Sequence, residues 1–227
     1  MRLPEPGLVL GVRYRGSASV LAGGVETRLP DATLAAMTST ARRMRTAAGS
    51  GVVLARFRPG GAARFLAQPL HELFGATLAL DILLPRAEVD RIVSQVAEAP
   101  SDSVRVAVLE AFLLGRLRPG EADPVVLAAV AAIDQSHGAV RIRALSRRLA
   151  ISQDPLEKRF RAAVGASPKQ FASLVRLRHA IERYRPGLSL TELALEAGYS
   201  DQSHFTRALR AVTGQPPGRF LRTAEHT

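Results

Sequence analysis

IRALSRRLAISQDPLEKRFRAAVGASPKQF, from Ile142 to Phe171, and LTELALEAGYSDQSHFTRALRAVTGQPPGRF, from Leu190 to Phe220, are two copies of one pattern. Leu145, Leu149, Ile151 and Ser152 fall on Leu193, Ala197, Tyr199 and Ser200 at an offset of 48, and Leu156, Phe160, Gly165, Pro168 and Phe171 fall on Phe205, Leu209, Gly214, Pro217 and Phe220 at an offset of 49. The second copy has gained one residue in its turn. Aliphatic residues four apart (Leu145/Leu149, Leu193/Ala197) give a first helix one apolar stripe, and Leu156/Phe160 and Phe205/Leu209 give a second helix the stripe that packs on it. Ser152 and Ser200 stand where a side-chain oxygen can cap that second helix, and Gly165 and Gly214 where a C-terminal residue takes a positive φ. Ser189 followed by Glu192 is a capping box opening the second copy. Each copy reads as a helix-turn-helix.

Charge follows the repeat. The chain has 227 residues with a formal net charge of +11. From Pro124 to Thr227 there are 16 basic and 8 acidic residues, leaving 15 and 12 for the rest. A basic field on a paired helix-turn-helix segment suits neutralisation of nucleic-acid phosphates, although a solvated basic surface has the same composition. The chain is long enough for a sizeable core and two modest domains. There is no Cys, which excludes disulfides, thiolate nucleophiles and Cys-ligated zinc. The opening residues carry no secretory pattern and no apolar stretch approaches the ~20 residues of a spanning helix, so the expectation is a cytoplasmic, nucleoid-associated protein without membrane contact.

Ahead of the repeat the period is that of strands. LVLGVRYR from Leu8, VETRL from Val25 and GVVLARFR from Gly51 are short β-type runs between small-residue turns, with Thr38 to Thr46 an exposed basic loop. Pro59-Gly60-Gly61 ends the third run, and Pro69 opens a short turn or helix. From Pro85 the period becomes helical, with stripes Val89/Ile92/Val93/Val96, Val104/Val108/Leu109/Phe112 and Val126/Ala129/Val130/Ile133 that could pack on the core or pair between subunits. Ser167-Pro168 starts a helix to about Tyr184, buried along Phe171, Leu174, Val175, Ala180, Ile181 and Tyr184 and ended by Pro186-Gly187. Its ~25 Å would hold two reading heads near one turn of DNA apart, ~34 Å. The fold class expected is α+β: a β-rich domain over residues 1–85, a helical connector over 86–122, and an all-α domain over 123–227. Within the last, the first helix-turn-helix spans about 141–165, the linking helix 167–184 and the second helix-turn-helix 189–213.

Residues ~137 to 223 resemble the DNA-binding domain of AraC/XylS-type transcription regulators. The resemblance rests on Leu149-Ala150-Ile151-Ser152, Leu156, Phe160, Gly165 and Ser167-Pro168, then Arg176-Leu177-Arg178 with Ala180, then AGYSDQSHF from Ala197 to Phe205 with Thr206, Ala208, Leu209, Gly214 and Pro217. Leu29-Pro30-Asp31, FRPGGA from Phe57 and PLHEL from Pro69 are similar to an uncharacterised β-rich domain found ahead of some members. By position, the resemblance implies DNA contacts in the first recognition helix from Gln153, from Asp154, Glu157 and Lys158 as base readers, and from Arg161 toward the backbone. In the second it implies Gln202, Ser203, Thr206, Arg207 and Arg210, with Thr206 and Arg210 near phosphates. Gln202 toward adenine and Arg207 toward guanine are the pairings the chemistry favours most. Asp154-Pro155 departs from the usual pattern. Proline is tolerated in a first turn, but Asp154 and Glu157 would face phosphate, so they either accept from cytosine N4 or serve as surface and capping residues.

The resemblance implies a sequence-specific double-stranded-DNA-binding transcription regulator controlled by an effector or by dimerisation, with no catalytic residues and no cofactor. Its partners would be promoter or operator DNA, a small-molecule effector, a second copy as homodimer, and RNA polymerase if it activates. A fusion of such a domain to a methyl-accepting repair module would need a cysteine nucleophile. His71, His137, His179, His204 and His226 show no HxH or HExxH spacing, and only His71 beside Glu72 hints at a metal ligand. There is no phosphate loop and no Gly-x-Ser-x-Gly elbow. Non-specific packing of nucleic acid would leave the polar residues at base-facing positions without a purpose, and single-strand binding lacks exposed aromatic platforms.

Overall fold

The computed structural model describes residues 3–22 and 24–224. Strand β1 (Val9–Arg15) centres a four-stranded antiparallel sheet in the order β6-β1-β4-β7, with β4 at Ala32–Ala35, β6 at Gly51–Arg56 and β7 at Thr77–Ala79. Its period of two sends Leu10 and Val12, with Leu8 before them and Ala32 and Leu34 from β4, to one buried face. A smaller sheet, order β3-β2-β5, joins β2 (Ala18–Ala22), β3 (Val25–Arg28) and β5 (Arg43–Thr46). The expected basic loop at Thr38 to Thr46 thus ends as a strand: β5 pairs with β2 while all four of its residues stay exposed. Cross-strand hydrogen bonding outweighs composition there, since every backbone group needs a partner wherever its side chain points. β2, β4 and β7 have no run long enough to be read from alternation.

The helices expected as a connector form the second layer of the β-rich part. α1 (Arg86–Glu98) buries Val89, Ile92 and Val96, and α2 (Asp102–Gly115) buries Leu109, all in one cluster with Leu8, Leu10 and Val12. Three of the four residues of the expected stripe on α2 are used, Leu109 buried with Val108 and Phe112 packed beside it, whereas the fourth, Val104, is exposed; Val106 and Leu114, off the stripe, are exposed too.

A second cluster combines α3 (Pro124–Gln135), α4 (Ile142–Arg148), α5 (Gln153–Val164) and the start of α6 (Pro168–Arg183) around Phe160 and Phe171, whose rings meet edge to face at 5.6 Å. A third combines the end of α6 with α7 (Leu190–Glu196), α8 (Gln202–Thr213) and α9 (Pro217–Ala224) around Phe205 and Leu209. Leu177 of α6 is buried in that cluster although the sequence reading left it off the buried side.

The β-rich part touches both helical clusters. Met37 is buried in the second, and the Pro69-initiated 3₁₀ turn at Leu70–Leu73 lays Leu70 beside Gly165, where an added Cβ would lie 3.2 Å from the Leu70 carbonyl oxygen. The Ala41 N–H donates to the Val212 carbonyl at 2.7 Å, satisfying one of the orphan acceptors in the last turn of α8. Leu3 packs on the third cluster, and Arg178 of α6 donates to the Pro4 carbonyl and pairs with Glu5 at 3.4 Å.

Candidate nucleic-acid interface

Each recognition helix is held by a small set of local devices. In the first head, Arg159 forks onto Asp123 at 2.6 and 2.7 Å. Asp123 also accepts from the Val125 and Val126 N–H groups that open α3, so one carboxylate ties α5 to α3. Hydrogen bonding from Arg159 holds that carboxyl below the usual carboxylate range. In the second head, Ser189 and Glu192 form the full capping box on α7. Asp201 caps α8, accepting from the His204 N–H at 2.8 Å, and its carboxyl is lowered first by that bond and then by the Ser200 hydroxyl.

The capping serines expected at the recognition helices are corrected by these contacts. Ser152 occupies the N-cap of α5 but its side chain makes no cap bond. Ser200 lies one residue before the cap of α8, which is Asp201, because the inserted turn residue moves the helix start. Gly165 and Gly214 do take positive φ, 95° and 69°.

The turn itself differs between the heads. Position 198 is Gly with φ 76°, whereas its counterpart in the first copy is Ala150 with φ 51°. A Cβ in the left-handed region is costly, so the first turn carries strain that the second avoids.

Linking helix α6 starts with its own capping box, Ser167 with Gln170. It is pinned to the first head where Arg176 donates to the Gly138 carbonyl and where the His137 and His179 rings stack at 3.9 Å. An added Cβ on Gly138 would lie 2.1 Å from the Ala172 carbonyl oxygen, so this close approach requires glycine. At its other end, Arg183 and, just beyond the helix, Arg185 pair with Glu196 of α7 at 3.4 and 3.6 Å. At 16 residues α6 is ~24 Å long.

The ten residues implied as DNA contacts divide between the two helices. Gln153, Asp154, Glu157, Lys158 and Arg161 are all exposed on α5. Arg161 pairs with Glu157 at 3.1 Å, and a shallow groove brings Asp154, Glu157, Lys158 and Arg161 together with His71 of the 3₁₀ turn. That meeting of the β-rich part with α5 was invisible in sequence, since nothing local relates His71 to residues more than eighty positions away. On α8, Gln202, Ser203, Arg207 and Arg210 are exposed and Thr206 is half-buried. The Thr191 hydroxyl of α7 donates to Gln202 Oε1 at 2.8 Å, a second contact that the sequence did not announce.

Among the described residues no group of His, Cys, Asp and Glu is placed to hold a metal ion, His71 and Glu72 included. His226 lies outside the described residues.

Comparison with known proteins meets this geometry at the same residues. A family model described as a helix-turn-helix domain matches residues 145–223. An AraC-like transcription regulator of Streptomyces lividans is 31% identical over 103 residues, 44% of this chain and 34% of that protein. The HTH-type transcriptional regulator CdhR of Pseudomonas aeruginosa is 24% identical over 148 residues, 59% of this chain and 44% of that protein. The chain thus spans less than half the length of these curated relatives. Among solved structures, ToxT of Vibrio cholerae is similar over 97% of this chain and 91% of that one, with a TM-score of 0.52 at 14% identity, a likeness of fold.

Proposed function

We propose, from the helix-turn-helix domain at residues 145–223 and the likeness of that region to AraC-like transcription regulators, that the chain is an AraC-type, sequence-specific regulator of transcription. Residues 123–227 would bind operator or promoter DNA and the part before them would control that binding. One observation carries this reading: two recognition helices, α5 and α8, present polar and basic side chains while a single helix, α6, is pinned to both heads. Double-stranded DNA offers two successive major grooves on one face, which one chain with two heads can span. Gln202, Ser203 and Arg207 would read bases. Lys158, Arg161, Thr206 and Arg210 would serve phosphates or bases, and Gln153, Asp154 and Glu157 would line the first groove.

Control through the β-rich part is supported by its contacts with both heads, Leu70 against the end of α5 and Ala41 against the end of α8. A small-molecule effector would act by shifting those contacts. The cavity between the sheet and α1–α2, bordered by Leu34, Phe57, Leu80 and Phe112, holds about 20 Å³. That is room for about one water, so an effector entering there would have to part the layers. A homodimer would pair two such chains, and Val104 and Leu114 are exposed apolar residues of α2 open to such a contact. Contact with RNA polymerase would follow if the protein activates. Among the described residues no helix is long and apolar enough to cross a membrane, and the reading places the chain in the compartment that holds DNA, the cytoplasm.

The test is selection from random double-stranded DNA by the whole chain at ~150 mM salt, followed by sequencing. Two short half-sites about one helical turn apart are expected. A non-specific binder would return unenriched sequence whose retention depends on salt alone.

A further inference from the structure

We infer that Thr191 is a positioning residue for base recognition, through its hold on the side-chain amide of Gln202; this rests on the reading of Gln202 as a base-contacting residue. The contact joins the first turns of two helices. Thr191 is the second residue of α7 and Gln202 the first of α8, both side chains are exposed, and the Thr191 hydroxyl donates to Gln202 Oε1 at 2.8 Å.

Both turns are fixed by caps. The Ser189–Glu192 box closes the start of α7 around Thr191, and Asp201 accepts from the His204 N–H across the first turn of α8. The hydroxyl and the amide therefore stand on backbone with little freedom, which is how a weak exposed hydrogen bond can select one orientation of a flexible side chain.

The chemistry of that orientation is specific. A primary amide presents an acceptor at one end and two donors at the other. With its oxygen engaged by Thr191, Gln202 turns its Nε2 donors outward, and Oε1 keeps one lone pair. Such an amide matches a base edge that offers an acceptor: purine N7, guanine O6 or thymine O4. Cytosine, whose major-groove edge offers only the N4 donor, leaves those outward donors without an acceptor. Adenine, with N7 and N6 side by side, uses both the outward donor and the spare lone pair. Loss of Thr191 leaves the amide free to rotate and accept from cytosine.

The first head shows what happens without this device. The positions that correspond to Thr191 and Gln202 are Arg143 and Gln153. An arginine has no acceptor and would compete for the amide oxygen with a full charge; both side chains are exposed, and no such bond joins them. The orienting contact belongs to the second head.

The experiment repeats the DNA selection on the full chain for the parent, Thr191→Val, Thr191→Ser and Gln202→Ala, with thermal melting and the salt dependence of binding measured alongside. Valine keeps the shape and removes the hydroxyl, and serine keeps the hydroxyl. The expected result is that Thr191→Val loses about fivefold discrimination against cytosine at one base pair, as for one neutral hydrogen bond. Melting and salt slope should stay unchanged, and Thr191→Ser should restore the profile. Gln202→Ala should flatten the same position.

A base profile for Thr191→Val identical to the parent's, with Gln202→Ala altered, would overturn the role of Thr191 while leaving Gln202 as a reader. An unaltered profile for Gln202→Ala would remove Gln202 from the interface and the inference with it. A parent without sequence preference would overturn the proposed function itself.

Discussion

The two helix-turn-helix heads share a fold and diverge in what surrounds it. The first shares its core with the β-rich part through Met37, abuts Leu70, carries Asp154 and Glu157 on its recognition helix, and turns through a strained Ala150. The second meets the β-rich part at the Ala41 N–H on the end of α8 and, through its core, at Leu3. It turns through Gly198, caps both of its helices with side chains, and shows Arg207 and Arg210 to solvent. Duplication fixes the packing positions, because two helices can cross closely only where Leu156/Phe160 or Phe205/Leu209 fill the gap. It leaves the solvent side free to diverge. The first head is built to be held by its own chain, and the second is built to present rigid polar groups outward. The consequence proposed is a division of labour in which the second head carries more of the sequence preference.

Core substitutions give the largest effect and ask whether the heads are one cooperative unit. Phe160→Ala and Phe205→Ala each remove a fully buried ring, at a cost of about 3–5 kcal/mol. Phe160 is in the cluster that contains Met37, so its loss should lower the melting of the β-rich part as well, whereas Phe205→Ala should unfold the second head and leave the remainder standing. Melting followed by separate fluorescent probes on β1 and α8 checks this. Coincident transitions in both variants would erase the distinction.

On DNA, Arg207→Ala should relax preference at one base pair by about 1–3 kcal/mol. Lys158→Ala, its neighbours being Glu157 and Asp154, should change the preferred sequence less. Arg210→Ala should weaken all sequences alike and reduce the salt slope by about one. Binding titrations at several salt concentrations with one matched and one mismatched site separate the three. A larger specificity loss from Lys158 than from Arg207 would reverse the proposed ranking of the heads.

Much of this was legible in the sequence because it is local. The repeat spacing, the Ser189–Glu192 box, the glycines at 165 and 214 and the stripe on α3 all report interactions within a few residues, and each is found in the structure. Three things were not. β2, β4 and β7 are three to five residues long, too short for alternation to speak. The packing of α1 and α2 on the sheet is a choice between partners for an apolar stripe, and the stripe does not name its partner. The contacts of Thr191 with Gln202 and of His71 with the face of α5 join residues that only the tertiary fold brings together. The ten side chains implied as DNA contacts were legible only by analogy with a family, so DNA binding by variants is what will sort them.

The turns offer a smaller and cleaner test, since positions 150 and 198 differ by one methyl group in the same backbone conformation. Gly198→Ala should destabilise the second head by about 1 kcal/mol, from the left-handed backbone alone, because the added Cβ would meet only the Ala139 Cβ at an ordinary 3.6 Å. Ala150→Gly should relieve the first turn by a similar amount, less the extra entropy of glycine in the unfolded chain, for a net gain of some tenths of a kcal/mol. Denaturant melts of the two single variants and the double variant check whether the shifts are opposite and additive. Shifts of the same sign would mean that the turns are not equivalent and that the comparison of heads fails at its simplest point.

Acid gives the smallest effect and acts on the joint between the first head and α6. Burial, and next the neighbouring His137, lower the pKa of His179. The native joint therefore resists protonation. Above the ordinary histidine range the ring is neutral in folded and unfolded chains, and the stack contributes fully. As pH falls below ~6.5 the unfolded chain takes up the proton first, so stability declines until the folded pKa is passed. Arg183 adds positive charge near the pair and deepens the decline, while Glu182 on the same helix opposes it. His179→Gln, which keeps polarity and removes the titration, should flatten stability between pH 7 and 5 relative to the parent. Its effect should appear in the melting of the first head and α6 more than in that of α8. A parent whose stability is level across that range, or a variant with the same slope as the parent, would show that the stacked pair holds the joint without sensing pH.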